Sequence, residues 1–259
     1  MILLAIWFEK CLIFLFCKTI FTLSKELIIE KNKVNVESLF NDIAPSYDFL
    51  NHFLSANTDK LWRKKSVKIL SVKNPKKILD VATGTGDLAI AMLKLEPEKI
   101  IGIDISKEML EIGKKKIKEI NKEQIIELQQ NDAENIPFSN NSFDAVTIAF
   151  GVRNFENLNK GLSELYRVLN FNGTLLILEF SRPKNNLFGY FFKFYFKYIL
   201  PTLGKMFSKN KVAYKYLFQS VQQFPSVNNM KNNLLSQGFI NVNAKTLSMG
   251  IATIYTASK

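Results

Sequence analysis

Histidine and cysteine are almost missing from this chain of 259 residues. His52 is its one histidine, and its two cysteines, Cys11 and Cys17, lie close together near the N-terminus. No set of Cys and His with metal-ligand spacing exists, which argues against a zinc or iron–sulfur centre. A nucleophilic triad would have to use His52, and no G-x-S-x-G precedes a helical pattern. Arginine is scarce too. Of 35 basic residues only Arg63, Arg153, Arg167 and Arg182 are arginine. Proteins that read nucleic-acid bases favour arginine for its paired donors. The formal net charge of +12 therefore speaks for no nucleic-acid partner, and an anionic membrane surface suits it better. Long apolar runs are absent as well. Met1–Phe8 and Cys11–Phe16 are broken by Glu9, Lys10 and Lys18, short of the roughly 18 apolar residues of a spanning helix. A basic start and a small-x-small cleavage site, the marks of a signal peptide, are lacking. Residues 1–33 thus read as an interfacial anchor, a marginal transmembrane helix, or upstream sequence from a misassigned start, although the next methionine is Met92. They are set apart from a domain spanning 34–259.

What is present has an ordinary globular balance, 47% hydrophobic and 22% charged. A chain of this size buries roughly three quarters of its unfolded surface and needs no staple. From residue 75 short apolar runs alternate with helical patterns. The expected strands are Lys77–Val81, Lys99–Ile103, Ile125–Gln130, Phe143–Phe150 and Thr174–Phe180. Between them, helical spacing covers Asp87–Leu95, a helix capped by Ser106, and a stripe from Leu158 to Leu169. This rhythm predicts an α/β fold, a mostly parallel sheet with helices on both faces. The rhythm breaks after residue 181. Leu187–Leu200 holds eight aromatics in fourteen residues, with Lys193 and Lys197 one helical turn apart. Ser226 caps a further helix, and Phe239–Leu247 and Ile251–Ala257 read as an antiparallel hairpin.

Asp80-Val-Ala-Thr-Gly-Thr-Gly-Asp87 stands where the first strand becomes a helix. Gly84 and Gly86 let the backbone turn sharply and approach a ligand. With Ala89 the spacing also satisfies the dinucleotide fingerprint. Eighteen residues after Gly86, Asp104 ends the second strand, where a carboxylate accepts both ribose hydroxyls of an adenosine ligand. NAD and S-adenosylmethionine (AdoMet) fit equally to this point. Asn131-Asp132-Ala133, followed by Ile136-Pro137-Phe138, offers a carboxylate beside an apolar wall and suits an adenine. One cofactor loop and a hairpin end, in place of two matched mononucleotide halves, also favour AdoMet.

The chain resembles the quinone-biosynthesis C-methyltransferases from about Val36 onward. The motifs are Leu39-Phe40-Asn41-Asp42-Ile43-Ala44-Pro45-Ser46-Tyr47-Asp48, Trp62-Arg63, the Asp80–Asp87 loop, Gly102-Ile103-Asp104-Ile105-Ser106, Phe150-Gly151-Val152-Arg153-Asn154, Glu179-Phe180-Ser181 and Tyr214-Lys215-Tyr216-Leu217. The resemblance implies a Rossmann-like seven-stranded methyltransferase sheet with an antiparallel C-terminal hairpin, an N-terminal lid (34–72) and an aromatic helical insertion (183–224). It implies AdoMet as methyl donor, no metal, and a polyprenyl quinol as acceptor: demethylmenaquinol, or in the alternative a ubiquinone precursor. Another small-molecule acceptor, an NAD-linked oxidoreductase and a non-catalytic lipid-binding module are the remaining readings. AdoMet contacts are carried over onto Thr85, Asp104, Asp132 and Ala133, with Gly84, Gly86 and Asp80 in the loop. Ala149 stands where some members have a contacting serine. The usual Lys-Pro-Gly-Gly turn is Asn170-Phe171-Asn172-Gly173 here, with Gly173 expected to make the turn.

A carbon nucleophile on the acceptor needs its neighbouring hydroxyl deprotonated, so a base or an activated water is required. Arg153 is the candidate to stabilise the phenolate and Asn154 to orient a water, with Tyr47, Asp48 and His52 in the lid. Asp80 is expected to anchor the loop or the cofactor amine. Glu179 either faces the ligand crevice or caps a helix. Phe188–Leu200 is the expected peripheral membrane contact, which would place the protein in the cytoplasm or at the inner face of the membrane.

Overall fold

The computed structural model describes residues 32–55, 57–181 and 211–259, all within one compact unit, Lys31–Lys259. The expectations for residues 1–31 and for Phe188–Leu200 lie outside the described residues.

Seven strands form one sheet: β1 (Lys77–Val81), β2 (Lys99–Asp104), β3 (Ile126–Gln130), β4 (Phe143–Ala149), β5 (Leu169–Phe180), β6 (Ile240–Leu247) and β7 (Ala252–Ser258). Their order is β3-β2-β1-β4-β5-β7-β6. The first five pair in parallel, while β7 runs antiparallel to β5 and to β6. The described helices are α1 (Lys33–Leu54), α2 (Thr58–Leu70), α3 (Asp87–Met92), α4 (Lys107–Glu119), α5 (Leu158–Val168), α6 (Lys211–Gln223) and α7 (Val227–Ser236).

Successive side chains of a strand point to opposite faces, and the two cores follow that period. Leu79, Val81, Ile148, Leu175, Ile177 and Tyr255 face Leu162 and Leu165 of α5 and Met230 and Leu234 of α7. Ile78, Ile100, Leu176, Leu178 and Ile254 face Trp62 and Leu70 of α2, Met92 of α3 and Leu110 and Ile117 of α4. Both faces of the sheet are therefore covered, as the near-continuous apolar strands require. Ser106 caps α4 and Ser226 caps α7 through their side-chain oxygens. Helix α3 is shorter than its apolar spacing suggests, because Leu93–Leu95 tightens into a 3₁₀ turn.

The turn expected at Gly173 is built differently. Leu169 pairs with Phe143 and Thr174 with Ala145, so Asn170–Gly173 bulge out of β5 opposite a single partner residue. Asn172 supplies the left-handed conformation, at φ 62°. Gly173 is required for space instead, since a Cβ there would lie 2.8 Å from both a Leu169 methyl and the Asn170 carbonyl oxygen. The parallel order reverses at β1 and β4, and a ligand crevice forms outside the carboxyl ends of strands at such a switch point.

Candidate active site

Two neighbouring cavities open at those carboxyl ends. The larger has a volume of about 700 Å³ including its open mouth, and residues of α1, the β1, β2, β3 and β4 ends, and α4 line it. Its wall includes Gly84, Asp104, Asp132, Ala133, Tyr47 and Asn154. The smaller, about 330 Å³, lies against the Gly loop and is lined by Arg63, Asp80, Thr85 and Asp87. Gly84, Tyr47, Ala82 and Ala149 border both.

The backbone here is unusual in ways that shape the crevice. Gly84 and Gly86 stand at φ +57° and +78°, the left-handed region in which glycine carries no steric penalty. Ala82 and Phe150 adopt positive φ without that freedom, at 52° and 60°, and strain of this kind gathers at functional sites. Gly151 lets the β1 and β4 loops touch. A Cβ on it would fall 2.3 Å from that of Ala82.

Asp104 closes the floor. One carboxylate oxygen accepts the Gly84 N–H at 2.8 Å and the other the Ser106 N–H at 2.9 Å. Desolvation raises its pKa against the pull of those backbone donors. Asp80 is buried, and its two oxygens accept the hydroxyls of Thr83 and Thr147, each at 2.6 Å. Burial pushes its pKa up to about 6, although those hydroxyls favour the charged form. Asp80 thus ties Thr83 of the loop to Thr147 of β4.

Asp132 accepts the Glu134 N–H at 2.8 Å and pairs with Lys33 Nζ at 2.6 Å. The bond to Asp132 in turn raises the Lys33 pKa. Lys33 begins α1 rather than closing the segment set apart as 1–33. Helix α1 contributes Lys33, Val36, Phe40 and Tyr47 to the cavity wall, and Asn41 Oδ1 accepts the Ser106 hydroxyl at 2.7 Å.

Four expected residues hold positions that the sequence alone did not disclose. Asp48 does not line either cavity. Its carboxylate accepts the Thr85 hydroxyl at 2.6 Å and Lys116 Nζ at 2.9 Å, which ties α1 to the Gly loop. Thr85 therefore has its hydroxyl engaged with Asp48, and it borders only the smaller cavity. Arg153 does not line either cavity. It is buried against Glu179 at 2.8 Å, bonds the Phe150 carbonyl, and lies over the Phe180 ring. Glu179, fully buried, also accepts the Arg153 N–H at 3.2 Å, so it caps the 3₁₀ turn Val152–Asn154 instead of facing the ligand. Asn154, the neighbour of Arg153, is the member of that pair that lines the large cavity. Ile136 and Phe138 belong to the core, and Ile105, Met109 and Phe155 supply the apolar wall instead.

His52 lies 2.8 Å from Asp59 in a charged cluster with Arg63, Asp87 and Lys116. His52, Asp59 and Asp87 bring three ligand-type atoms within 4.8 Å, but Arg63 already pairs with both carboxylates. Burial alone would raise the Asp87 pKa, yet the Arg63 and Lys116 charges hold it below the usual carboxylate range.

Residues that sequence reasoning passed over are Lys33, Lys116 and Glu134, and Arg63 was named in the Trp62-Arg63 motif without a role. Lys33 and Lys116 are lost among many lysines. Arg63 had a usable signal, as one of four arginines and four residues after Asp59.

The groups present fit an adenosine-bearing ligand. A desolvated carboxylate accepts only backbone donors at the β2 end, an open glycine backbone faces it, and a second carboxylate stands beside apolar side chains.

A family model described as the ubiE/COQ5 methyltransferase family matches residues 28–259. The demethylmenaquinone methyltransferase of Bacteroides fragilis is 46% identical over 230 residues, covering 88% of this chain and 94% of that protein. The ubiquinone/menaquinone biosynthesis C-methyltransferase UbiE of Geotalea daltonii is 45% identical over 226 residues, covering 86% and 96%. Among solved structures, a SAM-dependent methyltransferase from Thermotoga maritima, described as a possible histamine N-methyltransferase, superposes with a TM-score of 0.61. It is 19% identical and covers 86% of this chain and 99% of that one. At that identity it supports the fold alone.

Proposed function

The chain belongs to the ubiE/COQ5 methyltransferase family, and from that membership we propose that it methylates a ring carbon of demethylmenaquinol to give menaquinol. The observation that supports this reading is that Gly84, Asp104, Asp132, Asn154 and Phe155 all line the larger cavity. A cofactor end and an acceptor end share one cavity. The dinucleotide alternative falls with family membership.

AdoMet, when bound, supplies an electrophilic methyl group on a sulfonium. The residues that would hold it are Asp104 for the ribose hydroxyls, Asp132 and Ala133 for the adenine, and the Gly84–Gly86 backbone for the methionine part. Thr85 acts from behind, through Asp48 and Lys116, by fixing the loop. Orientation of two reactants about 3 Å apart lowers the barrier most in a reaction of this type. The acceptor's hydroxyl would give up its proton to water in the cavity so that its ortho carbon becomes nucleophilic. Once that carbon has taken the methyl group its hydrogen would leave as a proton, again to water, as the ring regains aromaticity. Asn154 and Tyr47 both line the cavity; Asn154 would donate to the resulting anionic oxygen, and Tyr47 would shield it from α1. Arg153, paired with Glu179, holds the Val152–Asn154 turn.

Among the described residues no helix is long and apolar enough to cross a membrane. A polyprenyl tail is apolar, so the protein must meet its acceptor at a lipid surface. Phe188–Leu200, aromatic with interleaved lysines, suits the headgroup region of the inner face of the membrane.

The test is the full chain in detergent with AdoMet and chemically reduced demethylmenaquinone, the quinone being followed by mass spectrometry. A gain of one methyl group is expected. AdoMet binding without any product would move the acceptor to a ubiquinone precursor or another small molecule.

A further inference from the structure

Asn154 is half-buried and reaches the cavity from the turn after β4. Its amide can show that cavity either a carbonyl, which accepts, or an NH₂ group, which donates. The difference is decisive for an anionic acceptor oxygen, which a donor stabilises and a carbonyl repels. Something must set which end faces the ligand.

Tyr216 stands behind it on α6. Its side chain is 5% exposed, and its hydroxyl lies 3.1 Å from Asn154 Oδ1. Burial raises the Tyr216 pKa, with the Glu179 carboxylate adding to the rise and Arg153 opposing it. The phenol therefore keeps its proton and stays a donor across the working range. A planar amide whose oxygen is held on one side presents its NH₂ on the other. Among the described residues, no group accepts a hydrogen bond from Asn154 Nδ2.

We propose that Tyr216 is a positioning residue that fixes the polarity of Asn154, so that the cavity meets an N–H donor at the acceptor's ionising hydroxyl. This rests on the methyl-transfer reading above and names the part of the chain that supports the anionic oxygen. The charged and titratable groups facing that region are Lys33 and Tyr47 from α1, Asp104 from the β2 end, and Asp132 and Glu134 after β3. Arg153 and Glu179 lie behind the turn. Among the described residues none of these bonds the tyrosine hydroxyl, whose hydrogen bond goes to Asn154, so a shift seen in that variant is read through the amide.

The experiment compares full-length wild type, Tyr216→Phe, Asn154→Ala and the double variant. It measures methylation of reduced demethylmenaquinone across pH, AdoMet binding by calorimetry, and thermal unfolding. Tyr216→Phe should lower kcat about ten- to a hundred-fold, the scale of one hydrogen bond to a charged group. The acidic limb of its kcat profile should move up by about one to two pH units, while AdoMet affinity stays within about two-fold. The double variant should be no worse than Asn154→Ala. An unchanged kcat and limb in Tyr216→Phe overturns the proposal. So does a loss of the same size when the tyrosine is removed in the Asn154→Ala background. Should Tyr216→Phe not fold, Asn154→Asp serves instead. It accepts from Tyr216 yet shows the cavity an oxygen, so activity below Asn154→Ala is expected and equal or higher activity overturns the proposal. A wild type that binds AdoMet but forms no methylated quinol sinks the functional reading and this inference together.

Discussion

Replacing Glu179 by alanine asks how firmly the turn carrying Asn154 is held. Glu179 is 0% exposed. It accepts Arg153 Nη1 at 2.8 Å, the Arg153 N–H at 3.2 Å and the Phe180 N–H at 2.8 Å. Without it, the Arg153 guanidinium remains buried with the Phe150 carbonyl and the Phe180 ring, whose centre is 5.5 Å from Cζ. Its Nε has no partner among the described residues even in the intact protein. Stranding a buried charge in this way costs about 3–5 kcal/mol, a large share of the ~5–15 kcal/mol that holds a domain together. Urea unfolding followed by tryptophan fluorescence measures it, because Trp62 packs 6.0 Å from Phe150 and 6.2 Å from Phe180. The midpoint should fall with an unchanged slope. Glu179→Ala combined with Arg153→Met should regain most of the loss, since apolar groups replace a buried ion pair at little cost. The reasoning fails if the single variant loses less than about 1 kcal/mol, the worth of an ordinary hydrogen bond, or if the double variant is no more stable than the single.

Three further outcomes are expected. Asp104→Ala should weaken AdoMet binding by roughly 1.5–3 kcal/mol, and calorimetry showing wild-type affinity would remove the ribose assignment. Asp80 has a folded pKa of about 6, above its unfolded value of ~3.9. The folded state therefore holds the extra proton, and this group's contribution to stability is full below about pH 4 and lost as the pH rises through about 6. Asp80→Asn should flatten that part of the stability profile, and an unaltered profile would refute the buried carboxyl as its source. Gly113→Ala places a Cβ 3.1 Å from the Thr85 backbone and 2.6 Å from a Leu128 methyl. It should lower AdoMet affinity about ten-fold by displacing the Gly loop; unchanged affinity together with unchanged stability would show that α4 does not support the loop.

The sheet was legible in the sequence because its inner parallel strands, β1, β2, β4 and β5, are covered on both faces, while β3 at the edge alternates. Runs such as Lys77–Val81 and Thr174–Phe180 then stand out as continuous apolar stretches. The Gly loop and Asp104 were legible for a related reason, as positive φ and a strand-end carboxylate leave marks at fixed spacing. The side-chain partners were not. Arg153 and Asn154 are neighbours in the chain, yet one is buried on Glu179 and the other reaches the cavity, a division set by how a 3₁₀ turn sits on β5. Lys33 and Asp132 are 99 residues apart, and no local pattern announces that pair. Gly173 misled because a bulge and a turn call for the same residue, one for space and the other for φ.

The position of β7 bears on how the chain is made. It follows β6 in sequence but lies inside it in the sheet, bonded to both β5 and β6. During vectorial synthesis the β5 edge waits bare until β7 reaches it, and β6 cannot join the sheet before then. An unpaired edge of Leu175–Leu178 is a template for association with other chains. Closure of the sheet is thus a late event that needs Ala252–Ser258 clear of the exit tunnel. Any stall or premature stop before that point leaves a nascent product carrying the whole cofactor crevice alongside an adhesive margin.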